Sequence, residues 1–267
     1  MPLRLCLAGA TGWAGSALAR AVAHAPDLQL VSAVSRTYAG RFAGDVLAEP
    51  RLTAPIFATA EAALAVPCDV FFEYTHPTVA KANCLAALRH GVNVVIGASG
   101  LSDADYAELA QAAEQAGRAV LAVGNFALTV VLLQKFAEIA ARHLPQWEII
   151  DYAHDAKPDA PSGTVRELAA RLGRVKPSAL TVPVEATQGE PATRGARLNG
   201  SQVHALRLPS YTISAEVIFG LPDQRLSLRH DSGTSAEPYV GGALLAIRQV
   251  GTFTGLRRGL DSVMDLS

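Results

Sequence analysis

A glycine-rich loop close to the start of the 267-residue chain limits its possible folds more than any other feature. The apolar residues 3–8, LRLCLA, predict a buried strand, and the next seven residues, GATGWAG, place glycines at positions 9, 12 and 15. Residues 13–23 are rich in alanine and predict a helix. Glycines spaced in this way let a pyrophosphate approach the N–H groups at the start of a helix. The loop predicts a dinucleotide-binding βαβ unit, and the alternative is a turn that only shapes the fold.

The alternation of apolar strand and amphipathic helix continues through the first half of the chain. Uninterrupted apolar strands separated by helices are typical of a parallel sheet that is covered on both faces. The predicted strands are 28–34, 68–74, 92–97 and 119–124, and the predicted helices are 78–90 and 102–115. We therefore expect an α/β protein whose N-terminal part is a Rossmann-type doubly wound parallel sheet.

The second half of the chain has fewer helices and more extended segments. Its predicted helices are 129–142, 162–172 and 236–248, and its extended segments are 147–154, 179–187, 201–209, 211–220 and 224–231. Residues 190–200 are rich in turn-forming residues and predict a loop. This pattern predicts a C-terminal α+β domain with an open mixed sheet.

Composition argues against several classes of function. Half of the residues are hydrophobic, 18% are charged and the net charge is −1, so we expect no nucleic-acid partner. No segment reaches about 18 uninterrupted apolar residues, so we expect no membrane span. The first residues lack the basic and long apolar regions of a secretion signal, which favours a cytoplasmic location. The cysteines at 6, 68 and 84 are widely spaced in apolar runs, which predicts buried thiols and no metal site.

The end of the second predicted strand carries information about the nucleotide. An NAD site usually has an Asp or Glu there to bind the ribose hydroxyls. This chain has Ser35 and Arg36 instead, and the next carboxylate is Asp45. A guanidinium beside a small hydroxyl suits a 2′-phosphate, so NADPH is favoured and NADH is the alternative. Arg36 can also be an ordinary surface arginine.

Three further loops follow the ends of predicted strands: YTHPT at 74–78, GASG at 97–100 and GNFAL at 124–128. Ligands in doubly wound folds bind outside the carboxyl ends of the strands. We therefore expect these loops to line the nicotinamide end of a dinucleotide site.

The segment DYAHDAKPDAPSGT, residues 151–164, concentrates the charged chemistry of the second half. His154 and Lys157 lie between a predicted strand and a helix that starts near Ser162. Two neighbouring cations are costly unless an anion joins them, and the N–H groups at the start of a helix also attract anions. A dicarboxylate satisfies both. The alternative is a capped helix preceded by exposed charges.

Together these residues resemble the dihydrodipicolinate reductase family. The resemblance rests on the GATGWAG, THP and GASG loops, the Asn-Phe pair after the fifth strand, and above all KPDAPSGT at 157–164. It implies NADPH- or NADH-dependent reduction of 4-hydroxy-tetrahydrodipicolinate, a cyclic dicarboxylate, in lysine and diaminopimelate biosynthesis. It also implies a dinucleotide-binding domain over 1–126, to which 237–267 return, and a substrate-binding and oligomerisation domain over 127–236. A homotetramer is expected, with a homodimer as the alternative.

The resemblance also implies roles for individual residues. Lys157 and His154 are expected to be catalytic. The substrate is expected to contact His154, Lys157, Ser162, Gly163, Thr164 and Ser99. The cofactor is expected to contact Gly9, Thr11, Gly12, Trp13, Ala14, Gly15, Ser35, Arg36, Thr75, Gly97, Ser99, Asn125 and Phe126.

Two departures from the family pattern leave alternatives open. The family usually has two adjacent histidines, the first proposed as the general acid, where this chain has Ala153 and His154; Asp151 stands in place of a Glu. The loop at 230–239 carries Asp231 and Glu237 where a basic residue is common. The proton can come from Lys157, His154 or water. The substrate can also be another cyclic imine or enamine, or the chain can bind NADPH without catalysis.

His204 and Arg207 lie three residues apart on one extended segment and therefore point to opposite faces of the sheet. One of the two could reach the site, and the sequence assigns a firm role to neither.

Overall fold

Strands and helices alternate in the computed structural model, which describes residues 1–266. In chain order, the first half contains β1 (Leu3–Ala8), α1 (Trp13–Ala23), β2 (Leu28–Val34), α2 (Ala43–Leu47), β3 (Ile56–Phe57), α3 (Ala60–Leu64), β4 (Val70–Glu73), α4 (Pro77–Arg89), β5 (Asn93–Ile96), α5 (Asp103–Ala116) and β6 (Ala119–Ala122). The second half contains α6 (Leu128–His143), β7 (Gln146–Ala153), α7 (Gly163–Val175), β8 (Ala196–Leu198), β9 (Ser201–Arg207), β10 (Ile213–Leu221), β11 (Gln224–Ser232), α8 (Glu237–Gln249) and β12 (Gly255–Arg258).

The chain divides into two compact units. The first unit comprises Met1–Leu128 and the residues from Ala236 onwards, and the second comprises Thr129–Ser235. Each unit has one sheet and its own apolar core, because the apolar stripes of its helices are buried against that sheet.

The first unit is built on a seven-stranded sheet with the order β12-β6-β5-β4-β1-β2-β3. Every strand pair in it is parallel. The chain winds outward from β1 in one direction to β3 and then, from β4, in the other direction. This topology confirms the predicted Rossmann-type doubly wound sheet, and ligands in such sheets bind where the strand order reverses, between β1 and β4.

The second unit is built on a five-stranded mixed sheet with the order β11-β10-β7-β9-β8. The β7–β9 pair is parallel and the other pairs are antiparallel. Helices α6 and α7 contribute Leu133 and Leu168 to a core that also contains Trp147 and Phe219 of the sheet. This architecture confirms the predicted α+β domain with a mixed sheet.

Several local predictions were wrong. Residues 179–187 are not a strand, because Pro183 removes a backbone donor, and only a 3₁₀ turn forms at Val184–Ala186. The predicted loop at 190–200 contains β8, which pairs with β9. The prediction also missed α2, β3, α3 and β12, since elements of two to five residues are too short to show a periodic pattern.

The three cysteines are buried free thiols, as predicted. No helix within residues 1–266 is long and apolar enough to cross a membrane. The same residues contain no group of three or more His, Cys, Asp or Glu side chains that could hold a metal ion.

Candidate dinucleotide and carboxylate sites

The glycine loop joins β1 to α1 at the point where the strand order reverses. Gly9 has a φ of +81°, and a Cβ there would lie 2.5 Å from the Tyr74 carbonyl oxygen. A Cβ at Gly15 would lie 2.1 Å from the Gly9 carbonyl oxygen. The loop therefore presses against the end of β4 and the first turn of α1, and neither position has room for a side chain.

The start of α1 could bind an anion. Gly12 is the N-cap and makes no side-chain cap hydrogen bond, and the first turn contains no acidic residue. A Cβ at Gly12 would meet only the Gly9 carbonyl oxygen, at 3.3 Å, so the loop is open on this side. The first N–H groups of a helix lack intrahelical partners and carry a positive partial charge. This arrangement fits the pyrophosphate of a dinucleotide.

Trp13 and Ala14 form the first residues of α1. The Trp13 side chain is 60% exposed, and its ring meets that of Tyr239 edge-on at a centroid distance of 5.7 Å. An exposed tryptophan beside the glycine loop offers an apolar surface to a bound nucleotide.

A cavity of about 410 Å³ lies beside the glycine loop. Its lining includes Gly9, Ser35 and Arg36 on one side and Thr75 with Asn83 on the other. The hydroxyls of Thr11 and Ser35 are 2.8 Å apart, which fixes the end of β2 against the loop. Arg36 forms no ion pair with any other residue in the described part of the chain, so its guanidinium is available to an anion.

A buried carboxylate holds the loop that follows β4. Glu73 is fully buried, accepts hydrogen bonds from the Thr75 N–H at 2.6 Å and the Asn83 amide at 2.8 Å, and also contacts the Thr75 hydroxyl. Burial raises the pKa of Glu73, while the Thr75 and Asn83 donors lower it. Both polar groups of Thr75 are thus bound to Glu73, which makes Thr75 a wall of the cavity with a fixed orientation.

Three aromatic rings pack together behind the loops at 74–78 and 97–100. The rings of Phe72 and Phe126 are 5.4 Å apart, and Tyr74 lies 4.6 Å and 5.6 Å from them. A Cβ at Gly97 would lie 2.1 Å from the Tyr74 ring, so this position has no room for a side chain. Burial raises the pKa of Tyr74, and the neighbouring Tyr239 raises it further.

The remaining predicted residues of the first unit lie at loop positions. Asn125 accepts a hydrogen bond from the Ala127 N–H at 2.9 Å, which shapes the turn before α6. Ser99 is exposed. The structure thus gathers Gly9, Thr11, Ser35, Arg36 and Thr75 around one cavity and loop, and it gives Gly97 and Phe126 packing roles.

The carboxylate site predicted in the second unit begins with Asp151 on β7, whose side chain is fully buried. It accepts two hydrogen bonds from Ser162, one from the N–H at 2.8 Å and one from the hydroxyl at 2.6 Å. Ser162 in turn caps α7 by accepting a hydrogen bond from the Val165 N–H at 3.4 Å. The two ends of the loop between β7 and α7 are therefore tied together.

Both basic side chains of this loop already have acidic neighbours. The Lys157 ammonium pairs with Asp159 and lowers the pKa of that carboxyl. The Nδ1 atom of His154 lies 2.8 Å from a carboxylate oxygen of Asp155. The sequence had suggested that His154 and Lys157 need an external anion, whereas Asp155 and Asp159 already lie beside them. A substrate carboxylate at Lys157 must therefore compete with Asp159.

The start of α7 lies beside these charges. Gly163 is exposed, and an added Cβ would meet only the Arg166 guanidinium, at 3.8 Å. Arg166 donates to the Pro161 carbonyl oxygen at 2.5 Å, and the first turn of α7 contains no acidic residue. Five of the predicted substrate-binding residues thus lie in one loop and helix start: His154, Lys157, Ser162, Gly163 and Thr164. The sixth, Ser99, belongs to the first unit.

Ala153 is fully buried at the end of β7 and provides no ionisable group. Its neighbour Tyr152 points to the other face of the sheet, where its hydroxyl donates to Glu216 at 2.9 Å. Burial and the Glu216 carboxylate raise the pKa of Tyr152 to about 12. Tyr152 is therefore not a substitute acid on the face of Ala153.

Two residues with clear roles in the structure, Arg207 and Glu73, had no firm role predicted from the sequence. Arg207 pairs with Asp151 at 2.7 Å, whereas His204 pairs with Glu148 at 2.7 Å on the opposite face. The predicted opposition of the two side chains is confirmed. The sequence did contain one indication of this ion pair: Asp151 lies in a predicted buried strand, and a buried carboxylate needs a partner. The sequence alone does not say which cationic side chain is that partner.

Comparisons with known proteins cover almost the whole chain. Residues 3–126 match the family described as "Dihydrodipicolinate reductase, N-terminus", and residues 129–264 match "Dihydrodipicolinate reductase, C-terminus". A protein of Nostoc sp. named 4-hydroxy-tetrahydrodipicolinate reductase is 38% identical over 98% of both chains. A protein of Bacillus subtilis with the same name is 33% identical over 98% of both chains.

Solved structures show the same relationship. A dipicolinate-bound dihydrodipicolinate reductase from Paenisporosarcina sp. has a TM-score of 0.87 and 29% identity, and the alignment covers 99% of this chain and 100% of that one. An amine dehydrogenase from Mycobacterium smegmatis has a TM-score of 0.69 at 15% identity, with 100% and 97% coverage, and shares the fold. With both halves matched and relatives similar along their full length, the chain belongs to the dihydrodipicolinate reductase family of oxidoreductases.

Proposed function

We propose that the protein reduces 4-hydroxy-tetrahydrodipicolinate to tetrahydrodipicolinate with NADPH, in lysine and diaminopimelate biosynthesis. The observation that carries this proposal is the loop and helix start at 157–164, where Lys157 adjoins an exposed helix N-terminus. The full-length relatives that bear the name of this activity support it.

The first unit is proposed to hold the nucleotide. Gly12, Trp13 and Ala14 would contact the pyrophosphate, and the cavity lined by Ser35, Arg36 and Thr75 would take the adenosine end. Ser99, Asn125 and Phe126, with Gly97 beneath them, would form the nicotinamide end. The pyridine nucleotide follows from family membership. Preference for NADPH over NADH is the finer proposal, and Arg36 without an ion pair is what supports it.

The second unit is proposed to hold the substrate. The N–H groups of Gly163 and Thr164 would bind one carboxylate at the positive end of α7, with Ser162 fixing the helix start. Lys157 would bind the substrate by exchanging Asp159 for a substrate carboxylate, and His154 would help to orient it.

Loss of the 4-hydroxyl group of the substrate as water would leave a conjugated unsaturated ring, which could then accept a hydride from a bound nicotinamide. The Lys157 ammonium stabilises the negative charge that then develops on the ring, and it holds a proton that the ring can take up. Ala153 cannot supply this proton, and His154 is the other basic side chain of the loop, which also contains the carboxyl groups of Asp155 and Asp159. Lys157 is therefore our proposed donor.

The direct test follows NADPH oxidation by the purified protein with freshly generated 4-hydroxy-tetrahydrodipicolinate. We expect turnover by the wild type. Bound NADPH without any turnover would contradict the proposed substrate. An Ala153→His variant, measured alongside, shows whether adding a second acid on this face raises the rate.

A second candidate is reduction of a different cyclic imine or enamine, and the observation that favours it is the buried Ala153. A substrate that needs no separate acid could use this pocket without loss. A panel of cyclic imino acids distinguishes the two, because the second candidate predicts that one of them is reduced faster than 4-hydroxy-tetrahydrodipicolinate.

We also propose a homotetramer in the cytoplasm, with a homodimer as the alternative. The sheet face opposite α6 and α7 carries Tyr152, Glu148, Glu216 and Arg229, which form ion pairs and ring contacts along its surface. Arg229 is exposed on this face, and arginine is enriched in protein interfaces, so we propose that this face contacts another copy. Light scattering of the purified protein gives the mass that decides between four, two and one chains.

A further inference from the structure

A partly buried arginine on β9, the strand beside β7, contacts the loop that carries Lys157. The Nη2 atom of Arg207 donates to the Asp151 carboxylate at 2.7 Å and to the Asp159 carbonyl oxygen at 2.7 Å. Its Nη1 atom donates to the Leu206 carbonyl oxygen at 2.8 Å. One guanidinium thus contacts the acid on β7 and the backbone in the middle of the loop.

These contacts set the orientation of the Arg207 guanidinium, although they leave one of its own N–H donors without a partner. Its Nε atom is buried and has no hydrogen-bond partner among the described residues. An unpaired buried donor is costly. The contacts of the Nη atoms to Asp151 and Asp159 must therefore be strong enough to hold the guanidinium in a position that leaves Nε unpaired.

The register of the sheet explains why Arg207 can do this. Strands β7 and β9 are parallel, and Arg207 is paired with Ala153 across them. Cross-strand partners point to the same face of a sheet, so the Arg207 side chain lies on the face that carries Ala153 and Asp151, within reach of the Asp151 carboxylate.

We propose that Arg207 and Asp151 form a positioning pair for the substrate-binding loop. Asp151 fixes the helix start through Ser162, and Arg207 fixes the carbonyl oxygen of Asp159, the residue whose carboxylate pairs with Lys157. Neither side chain contacts the substrate in this proposal. Their role is to hold Lys157 and the N–H groups of Gly163 and Thr164 in one fixed arrangement.

The expected loss of catalysis rests on the proposed function, whereas the expected loosening of the loop does not. The test compares Arg207→Lys with a control, Arg171→Lys. Lysine keeps the charge but lacks the planar fork that reaches two acceptors at once. Arg171 is similarly buried, at 11% exposure against 17% for Arg207, and pairs with Glu138 and Glu167 away from the loop.

Hydrogen exchange of the ligand-free variants reads the loop directly. We expect faster exchange of the amides in 155–163 in Arg207→Lys and no change there in Arg171→Lys. Equal exchange of this segment in both variants would overturn the proposal. Because this measurement needs no ligand, it decides the positioning role even if the wild type fails to reduce 4-hydroxy-tetrahydrodipicolinate.

Binding and kinetics measure what the positioning does. In Arg207→Lys we expect the Kd for pyridine-2,6-dicarboxylate to rise and kcat to fall, each by about tenfold to a hundredfold. The Kd for NADPH should stay at its wild-type value, and Arg171→Lys should change none of the three. A uniform loss of folded protein would lower kcat without changing either Kd, and that result would also contradict the proposal.

Discussion

The candidate dinucleotide site and the candidate carboxylate site are built from different parts of the polypeptide. The first is made mainly of backbone: Gly9 and Gly15 have no room for a side chain, and Gly12 leaves the start of α1 open. The second is made of charged side chains, and its central acid, Asp151, is held by an arginine from 56 residues further along the chain. The two sites should therefore respond differently to substitution.

The difference teaches which kind of change each site tolerates. A site made of backbone is disrupted when a Cβ is added, because the Cβ would overlap main-chain atoms, which cannot move aside as a flexible side chain can. A side-chain site tolerates added volume at Gly163, where an extra Cβ meets only a flexible guanidinium at 3.8 Å. It fails instead when a charge or a hydrogen bond is removed.

The largest effect is expected from Lys157→Ala. Loss of the proposed proton donor and carboxylate partner should lower kcat by about 10²- to 10⁴-fold, with the Kd for NADPH unchanged. Lys135→Ala is the control, because Lys135 is 33% exposed against 30% for Lys157 and also has an acidic partner. Steady-state kinetics with a fluorescence titration of NADPH give both values. A Lys157→Ala enzyme as fast as the Lys135→Ala enzyme would remove the catalytic role.

The next effect is expected from Gly15→Ala. Its Cβ would overlap the Gly9 carbonyl oxygen, so the loop must move, at about 1–3 kcal/mol of unfolding free energy. Gly163→Ala is the counterpart in the second unit and should leave stability nearly unchanged. Urea unfolding of both variants measures the contrast. Equal destabilisation by the two substitutions would break the distinction between a backbone site and a side-chain site.

Arg36→Ala should affect the choice of cofactor. Removing the proposed charge-assisted hydrogen bond to the 2′-phosphate should cost about 1.5–3 kcal/mol, so the Kd for NADPH should rise by roughly 10- to 150-fold. NADH has no 2′-phosphate, and its Kd should stay the same. Calorimetric titration of both nucleotides provides the comparison. If both Kd values rise equally, Arg36 does not discriminate between the nucleotides.

The smallest effect is expected from Glu73→Gln and depends on pH. Burial raises the pKa of Glu73 in the folded state above its ordinary value. Its contribution to stability is then complete below about pH 4.3, the ordinary value for Glu, and is lost as the pH rises through the raised pKa. The melting temperature of the variant, relative to wild type, should therefore increase from pH 4 to pH 8. A difference that stays constant over this range would show that Glu73 has an unshifted pKa.

Much of the fold was predictable, because each of its longer elements carries a local signal. The apolar strands 3–8 and 28–34 and the glycine loop between them indicated the parallel sheet and its switch point. Elements without such a signal were missed: β12 is the four-residue segment GLRR, and it is a strand only because β6 lies beside it.

The candidate sites show the same division. Lys157, Ser162 and Gly163 could be proposed as site residues from the sequence because they lie within eight consecutive residues of a specific motif. The acidic partners of Lys157 and His154 were visible in the sequence but were not paired with them. Arg207 was one of two candidates, and only the register of β9 against β7 selected it.

The sequence by itself determined the features that arise within one segment: the glycine loop before α1, the helix start at Ser162, and the absence of a proton donor at Ala153. Only the tertiary structure decided which side chains meet across strands, such as Arg207 with Asp151. The physical reason is that a loop or a helix start satisfies its own backbone locally, whereas a buried charge must find a partner wherever the packing of the sheet places one.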